Sequence, residues 1–290
     1  MQFYIVDAFA DELFGGNPAG VVIIPDGQDF PADEIMVNTA AELRYSETAF
    51  IKFLGGKEFN IRYFTPVAEV DLCGHATIAS FATLLHIGMV TDGEYVNHTL
   101  AGDLNINIKD GFIFMDMAEP KLFQSITEPD KLQDLYRIMG LDYDLEKSKG
   151  LTLIPQIIST GLPDIMLPVS SFESLQRISP DFPKLITLSE EYDVTGVHAF
   201  VENPDEEGTY HVRNFGPRVG IDEESATGTS NGALTYYLSS NDLLRASKDC
   251  KFIQGEKMNR PSAIVSRIDE KGTIQIGGKG LILADGQINI

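Results

Sequence analysis

The first part of the chain carries a carboxylic acid, a thiol and an imidazole at positions suited to chemistry. Glu47 comes directly before an apolar segment, and Cys73-Gly74-His75 leads into a second one. A carboxylate at the edge of a buried sheet and an imidazole at a helix start can take up and return a proton. These residue types are candidates for general acid–base catalysis, with Glu47 as a general acid or base and His75 as a hydrogen-bond donor or proton shuttle. The same pattern also fits a solvated loop glutamate and a purely structural histidine.

The positions of these three groups predict the direction in which the pKa of each is shifted. Loss of water at the sheet edge would raise the pKa of Glu47 towards the working range of a general acid or base. The positive end of a helix would favour a neutral imidazole at His75. It would also lower the pKa of the Cys73 thiol.

A second glycine leads into an apolar run in the same way. Thr227-Gly228-Thr229 follows the acidic run of residues 222–224, which ends at Glu224. A helix that starts at Gly74 or Gly228 would offer unpaired N–H groups, and glycine lets a ligand approach the backbone. The pair predicts a carboxylate or phosphate site that needs no basic side chain. Alternatively, the glycines only shape turns and the acids form a solvated face.

The chain has no spacing typical of a metal or nucleotide site. Neither a GxGxxG nor a Walker pattern is present. The histidines other than His75 are scattered without i, i+4 pairs: His86, His98, His198 and His211. The two cysteines, Cys73 and Cys250, do not make a disulfide framework in a chain of 290 residues. We therefore expect neither a metal site nor a nucleotide site.

The elements that position these residues occur twice along the chain. Arg62-x-Phe64-x-Pro66 precedes Gly74, and Arg213-x-Phe215-x-Pro217 precedes Gly228. Upstream, residues 47–51 resemble residues 197–201, and residues 17–22 resemble residues 162–167. A repeat of this length is longer than a solenoid unit and predicts two similar domains, residues 1–118 and 119–290. We expect the active site in the cleft between them, and the last strand could pack on the first domain.

The charge and the hydrophobic pattern of the sequence indicate which kinds of binding partner to expect. The net charge is −21, with 43 acidic against 22 basic residues, which argues against nucleic acid and anionic membranes as partners. No apolar run approaches about 18 residues, and the start of the sequence lacks the basic and apolar regions of a signal peptide. We expect a soluble cytoplasmic protein that binds a small molecule.

The chain resembles the PhzF-like family of phenazine-biosynthesis isomerases along its whole length. The matching segments are residues 7–9, 16–20, 46–50, 62–66, 73–77, 213–217, 220–223 and 227–228. The resemblance implies the diaminopimelate-epimerase-like fold, an α/β fold of two pseudo-symmetric domains, each a sheet wrapped around a central helix. It also implies a homodimer without a cofactor.

In that family, the residue corresponding to Glu47 is the proton shuttle, and the resemblance assigns further site residues to His75, Glu224 and Thr229. The type enzyme has Asp and Ser where this chain has Glu224 and Thr229. These replacements keep an acid and a hydroxyl but reshape the pocket, which argues against the phenazine precursor as the substrate.

A second resemblance links Cys73-Gly74-His75 to proline racemases and to hydroxyproline epimerases and dehydratases. Those enzymes use a Cys pair, or a Cys with a Thr in the second place, and Cys73 with Thr227 fits the latter. The segment of residues 46–50 and both Arg-x-Phe-x-Pro copies favour the first family instead.

Together these observations predict a cofactor-independent isomerase that moves a proton on a small carboxylate-bearing metabolite. Glu47 removes and returns the proton, His75 and Glu224 assist, and the substrate is bound around Cys73-Gly74-His75 and Gly228-Thr229. Two alternatives stay open: an epimerase or dehydratase that uses Cys73, and a small-molecule binder without turnover.

Overall fold

The helix that starts at Gly74 is buried on nearly every side. In this computed structural model it is α2 (Gly74–His86), and the side chains from His75 to Leu84 are buried. A helix without a polar face must be enclosed by other elements. Its hydroxyl residues Thr77, Ser80 and Thr83 donate to the carbonyl oxygen four residues earlier, so they are satisfied inside the core. The sequence of α2 therefore requires a sheet around it.

The structure describes residues 1–244 and 249–290 and divides them into two units. Unit 1 consists of Met1–Asp116 with Gly277–Ile290, and unit 2 is Met117–Ile276. The mixed α/β class predicted from the sequence is confirmed. Within the described ranges, none of the helices is both long and apolar enough to cross a lipid bilayer.

Unit 1 encloses α2 with one sheet and covers the outside of that sheet with a second helix. Its elements are β1 (Gln2–Ala8), β2 (Asn17–Ile23), α1 (Asp33–Leu43), β3 (Thr48–Gly55), β4 (Glu58–Phe64), β5 (Glu69–Val70), α2, β6 (Gly93–Thr99), β7 (Gly102–Lys109), β8 (Phe112–Asp116) and β18 (Gly280–Gln287). The pairing order is β18-β1-β2-β3-β4-β6-β7-β8.

Unit 2 repeats this plan around its own buried helix, α7. Its elements are β9 (Lys121–Ser125), α3 (Pro129–Ile138), α4 (Tyr143–Ser148), β10 (Gln156–Ser159), β11 (Pro163–Pro168), α5 (Phe172–Arg177), α6 (Phe182–Glu191), β12 (Gly196–Glu202), β13 (Thr209–Gly216), β14 (Ile221–Glu224), α7 (Gly228–Ser240), β15 (Asp249–Gln254) and β16 (Ser262–Ile268), with β17 (Ile274–Gly278) at the boundary. The pairing order is β9-β10-β11-β12-β13-β15-β16.

The two pairing orders share one succession of directions. From the first strand of each order onwards, the neighbours are antiparallel, antiparallel, parallel, antiparallel, parallel and antiparallel. The first strand of the order in unit 1 is β18, from the C-terminal end of the chain. The corresponding strand in unit 2 is β9. The sequence left the placement of the last strand open, and the structure pairs it antiparallel with β1.

Strand alternation sends one set of side chains to the central helix and the other to the outer helices. On β11, Ile165 and Leu167 pack with Leu135 of α3 and Leu185 of α6. The intervening face carries Asp164, which contacts α7. Because side chains alternate along a strand, this register puts polar groups next to the start of the central helix.

The strand register also corrects the alignment of the two copies by one residue. Ala49 pairs with Tyr63, directly after Arg62, and His198 pairs with Asn214, directly after Arg213. Ala49 therefore corresponds to His198, whereas the sequence comparison set Thr48 against it. Glu47 consequently corresponds to Gly196.

Candidate active site

Both central helices begin in the same local conformation. The residues before the two helix-starting glycines, Cys73 and Thr227, are extended, with φ/ψ of −140°/116° and −127°/102°. The Thr227 side chain accepts no hydrogen bond from the first turn of its helix, whereas the Ala76 N–H is directed at the Cys73 sulfur. The first turn of α7 is therefore not blocked by the residue before it, which is what an anion-binding helix start requires. The transitions from loop to helix expected at Gly74 and Gly228 lie where the two helices begin.

In unit 1 the predicted residues Glu47, Cys73 and His75 lie in contact. His75 is buried, and its Nε2 lies 3.2 Å from Glu47 Oε2 and 3.3 Å from Ser46 Oγ. Cys73 Sγ lies 3.5 Å from His75 Nδ1. Asn17 Nδ2 lies 3.3 Å from the same ring nitrogen. An Asn amide can offer its oxygen or its nitrogen, so Asn17 can serve either protonation state of the ring.

Glu47 stands at the residue before β3, where its backbone carbonyl accepts a hydrogen bond from Gly20 of the neighbouring strand β2. Its side chain is 16% exposed. Burial alone would raise the pKa of Glu47, but the His75 imidazole, with Ser46 and Cys73 beside it, holds that pKa below its ordinary value. The raised pKa expected from the sequence is therefore wrong. The buried Oε2 faces the His75 ring and has no further hydrogen-bond partner in the described part of the chain.

For His75 and Cys73, too, the pKa shifts are opposite in direction to those expected from the sequence. Burial opposes charge on the ring, yet the Cys73 sulfur and the Glu47 carboxylate hold the pKa of His75 well above its ordinary value. Burial, reinforced by the Glu47 charge, raises the pKa of the Cys73 thiol. Within this cluster, contacts between the three side chains therefore raise the pKa of His75 and lower that of Glu47, while burial raises that of Cys73.

The same three residues have the spacing of a metal-binding cluster, which sequence spacing did not reveal. The ligand atoms of Glu47, Cys73 and His75 all lie within 4.8 Å of one another. A metal would need an unprotonated ring nitrogen and a thiolate. Both ring nitrogens of His75 have hydrogen-bond partners, and the thiol is held in its neutral form. This donor set suits a stored proton better than a cation.

In unit 2 the acidic run divides among three environments. Asp222 is exposed, while Glu223 accepts two hydrogen bonds of 2.8 Å from the buried Arg213. Glu224 Oε2 accepts a 2.7 Å hydrogen bond from Thr227 Oγ1. Of the three acids, Glu224 is thus the one held next to the start of α7. Gly228 and Thr229 follow as the first two residues of that helix.

Several polar residues next to these sites received no role from the sequence. Ser46 and Asn17 contact His75, and Gln254 of β15 contacts Thr227. Asp164 is fully enclosed, and burial raises its pKa to about 7. The only sequence signal was the match of residues 17–22 to 162–167, which set Asp164 opposite Ala19 and marked a polar residue on a buried strand.

Comparison with known proteins places the chain among related sequences. Residues 6–286 match the sequence profile of the family described as phenazine biosynthesis-like protein, PhzC-PhzF. An uncharacterized isomerase of Clostridium acetobutylicum is 32% identical, over 97% of this chain and 96% of that protein. A PhzF-family phenazine biosynthesis protein of Bacillus anthracis has a similar structure, with a TM-score of 0.83 at 24% identity, over 100% of this chain and 99% of that one. A probable proline racemase of Agrobacterium radiobacter shares the fold at 13% identity and a TM-score of 0.62, over 100% and 93% of the chains.

Proposed function

Because this chain belongs to the phenazine biosynthesis-like PhzC-PhzF family, we propose that it catalyses a cofactor-independent isomerisation of a small carboxylate-bearing metabolite by moving a proton. Family membership and its relatives, named isomerases, identify the chain as an isomerase-type enzyme. The single observation that carries the proton-transfer step is the 3.2 Å contact between Glu47 Oε2 and His75 Nε2.

In the proposed step, Glu47 acts as base and then as acid. Its carboxylate removes a proton from one carbon of the substrate, and the C–H electron pair moves into an adjacent π bond. Glu47 then returns the proton to the far carbon of that π system. Oε2 suits this step because it is buried, lies 3.2 Å from His75 Nε2 and accepts no further hydrogen bond from a described group. The lowered pKa makes Glu47 a weaker base but a stronger acid, so His75 favours return of the proton.

Substrate binding is assigned to the helix starts. The first turns at Gly74-His75 and Gly228-Thr229 provide N–H groups and positive dipole ends for a carboxylate and for charge that develops during reaction. With a net charge of −21, the whole protein repels an anion, so local groups must attract it. We propose that the residues of both units act on the same substrate, with Glu224 as a further polar partner.

Proton exchange tests the proposal directly. Wild type and Glu47→Gln are incubated in D2O with a panel of cyclic and amino-acid carboxylates, and C–H signals are followed by NMR. Glu94→Gln is the control, because Glu94 is an exposed acid of the same unit and undergoes the same chemical change. We expect exchange with wild type and the control but not with Glu47→Gln. Exchange by all three proteins would contradict the role of Glu47.

One observation favours a second candidate, an epimerase or dehydratase that uses Cys73. The thiol lies 3.5 Å from His75 Nδ1, and Thr227 occupies the corresponding place in unit 2. Because burial keeps the thiol neutral, Cys73 would act first as a proton donor. Loss of exchange in Cys73→Ser together with retained exchange in Glu47→Gln would support this candidate. If no protein exchanges any substrate but a carboxylate raises thermal stability, the binder without turnover is supported.

We also propose a homodimer, on the basis of the family resemblance. Size-exclusion chromatography with light scattering distinguishes a dimer from a monomer of 31.9 kDa.

A further inference from the structure

Gln254, at the end of β15, uses its whole side-chain amide in hydrogen bonds. It is fully buried. Its Oε1 accepts from the backbone N–H of Thr227 at 3.1 Å and from Asn231 Nδ2 at 3.0 Å. Its Nε2 donates to the backbone carbonyl of Glu224 at 2.7 Å and to Thr227 Oγ1 at 2.9 Å. A side-chain amide has two donor hydrogens and two acceptor positions, and all four are used here.

Backbone groups fix which end of this amide is the oxygen. The N–H of Thr227 can only donate, and the carbonyl of Glu224 can only accept. A flipped amide would therefore face donor to donor and acceptor to acceptor at these two contacts. Consequently Gln254 must donate to the Thr227 hydroxyl and cannot accept from it.

The donor and acceptor of the next hydrogen bond, between Thr227 and Glu224, are fixed as well. Since Thr227 Oγ1 accepts from Gln254, its one proton is available for donation, and Glu224 Oε2 lies at 2.7 Å. Among the described residues, Thr227 Oγ1 has no other acceptor within hydrogen-bond distance. A proton on Glu224 would make Oε2 a weaker acceptor for the Thr227 hydroxyl, because hydrogen bonds to a carboxylate are the stronger ones.

The hydrogen bonds of Asn231, on α7, have a fixed donor and a fixed acceptor in the same way. Asn231 Nδ2 donates to the Thr227 carbonyl at 2.8 Å, which fixes that amide too. Its Oδ1 therefore accepts from His198 Nε2 at 3.2 Å. On the other side of the ring, Asn214 Nδ2 lies 3.2 Å from His198 Nδ1. Burial lowers the pKa of His198 to about 4, which agrees with a neutral ring.

We infer that Gln254 and Thr227 are positioning residues whose hydrogen bonds run in one direction, make Glu224 Oε2 a hydrogen-bond acceptor and so favour the carboxylate form of Glu224. The consequence for catalysis rests on the proposed function: Glu224 enters turnover as a carboxylate. The inference about the hydrogen bonds themselves does not depend on the reaction.

The test is the titration of Glu224, measured by NMR on protein labelled with 13C only at the glutamate side-chain carboxyls. The signal is assigned by its loss in Glu224→Gln. The charged or titratable groups near Glu224 include Asp164, with which it interacts electrostatically, and Glu223, which is paired with Arg213. Selective labelling leaves Asp164 silent, and Glu223 remains visible in Glu224→Gln.

Thr227→Val removes the hydroxyl and keeps the shape, whereas Thr227→Ser keeps the hydroxyl. We expect Glu224 to titrate about one pH unit higher in Thr227→Val than in wild type, because the carboxylate loses a donor. Thr227→Ser should titrate close to wild type. An unchanged midpoint in a folded Thr227→Val protein would overturn the inference.

Gln254→Met provides a second route should the first variant not fold. It removes both donors at similar length and should also raise the Glu224 midpoint. If exchange activity is found, the acidic limb of kcat/KM should move upward with the midpoint in Thr227→Val and stay in place in Thr227→Ser, which loss of stability alone would not produce. If no activity is found, the proposed function fails while the NMR midpoints still decide this inference.

Discussion

Glu47 and Gly196 occupy corresponding positions in the two units, and only one of them has room for a side chain. Thr48 pairs with Phe64 and Val197 with Phe215, which aligns the preceding residues Glu47 and Gly196. A Cβ atom on Gly196 would meet the Phe215 carbonyl oxygen at 1.8 Å. Unit 2 therefore cannot hold an acid at the place of Glu47, and its acid next to the helix start, Glu224, comes from β14 instead.

This contact predicts a large loss of stability in Gly196→Ala. The neighbour that must move is backbone, so we expect the free energy of unfolding to fall by more than about 3 kcal/mol, at the upper end of overpacking effects. Gly286→Ala is the matched control on another strand, because a Cβ there meets nothing within 4 Å. Urea unfolding of both variants checks the prediction, which a near-neutral Gly196→Ala would refute.

Shortening Glu47, the proposed acid–base residue, should reduce activity while leaving the fold intact. Glu47→Asp keeps the carboxylate but withdraws it by roughly 1 Å, a displacement that costs on the order of 100-fold in rate. Steady-state exchange in D2O measures kcat/KM, with Glu94→Asp as the control. Full activity in Glu47→Asp would argue against a positioned carboxylate and in favour of a proton carried by another group.

Asp164 and His198 are both buried, and they should change the free energy of unfolding in opposite directions as the pH rises. Burial raises the pKa of Asp164 to about 7, so its contribution is present below the unfolded value of 3.8 and is lost as pH rises towards 7. Burial lowers the pKa of His198 to about 4, so its contribution is present above 6.5 and is lost as pH falls. Between about pH 4.5 and 6.5 the two slopes cancel in the wild type.

Asp164→Asn removes the contribution of Asp164 to the pH dependence of stability, so that of the two contributions only that of His198 remains. In this variant the free energy of unfolding should rise with pH by about 1 kcal/mol per pH unit more than in the wild type over that window. Urea unfolding at several pH values measures the slope, which is independent of any constant loss of stability in the variant. Parallel curves for the two proteins would show that Asp164 does not carry its proton into the folded state.

The thiol should be unreactive in the native protein. Burial raises the pKa of Cys73 and raises that of Cys250 to about 12, so both lack the thiolate that alkylating agents attack. We expect iodoacetamide at pH 8 to modify both sites at least about ten times more slowly in native protein than in urea. Mass spectrometry of digests follows each cysteine separately. Rapid native labelling of Cys73 alone would instead support the thiol-based candidate.

The placement of the helix starts was available from the sequence, but the ionisation states were not. Gly74 and Gly228 follow repeated strand and loop signals, and local chemistry decides such boundaries. The pKa shifts of Glu47, His75 and Cys73 depend on a contact between residues distant along the chain, whose 3.2 Å length no spacing rule supplies. The role of Gln254 was hidden for a similar reason, since the direction of an amide emerges only when both of its ends meet backbone groups.

The pairing of β18 with β1 has a consequence for the order in which a ribosome-bound chain can fold. Unit 2 lies entirely within Met117–Ile276, whereas unit 1 needs Gly277–Ile290 to complete its sheet. Translation makes residues 1–116 first, yet these residues must wait for the strand that follows unit 2. The half of the protein synthesised earliest is therefore the last to close, and unit 2 can reach its native structure while the edge of β1 is still open.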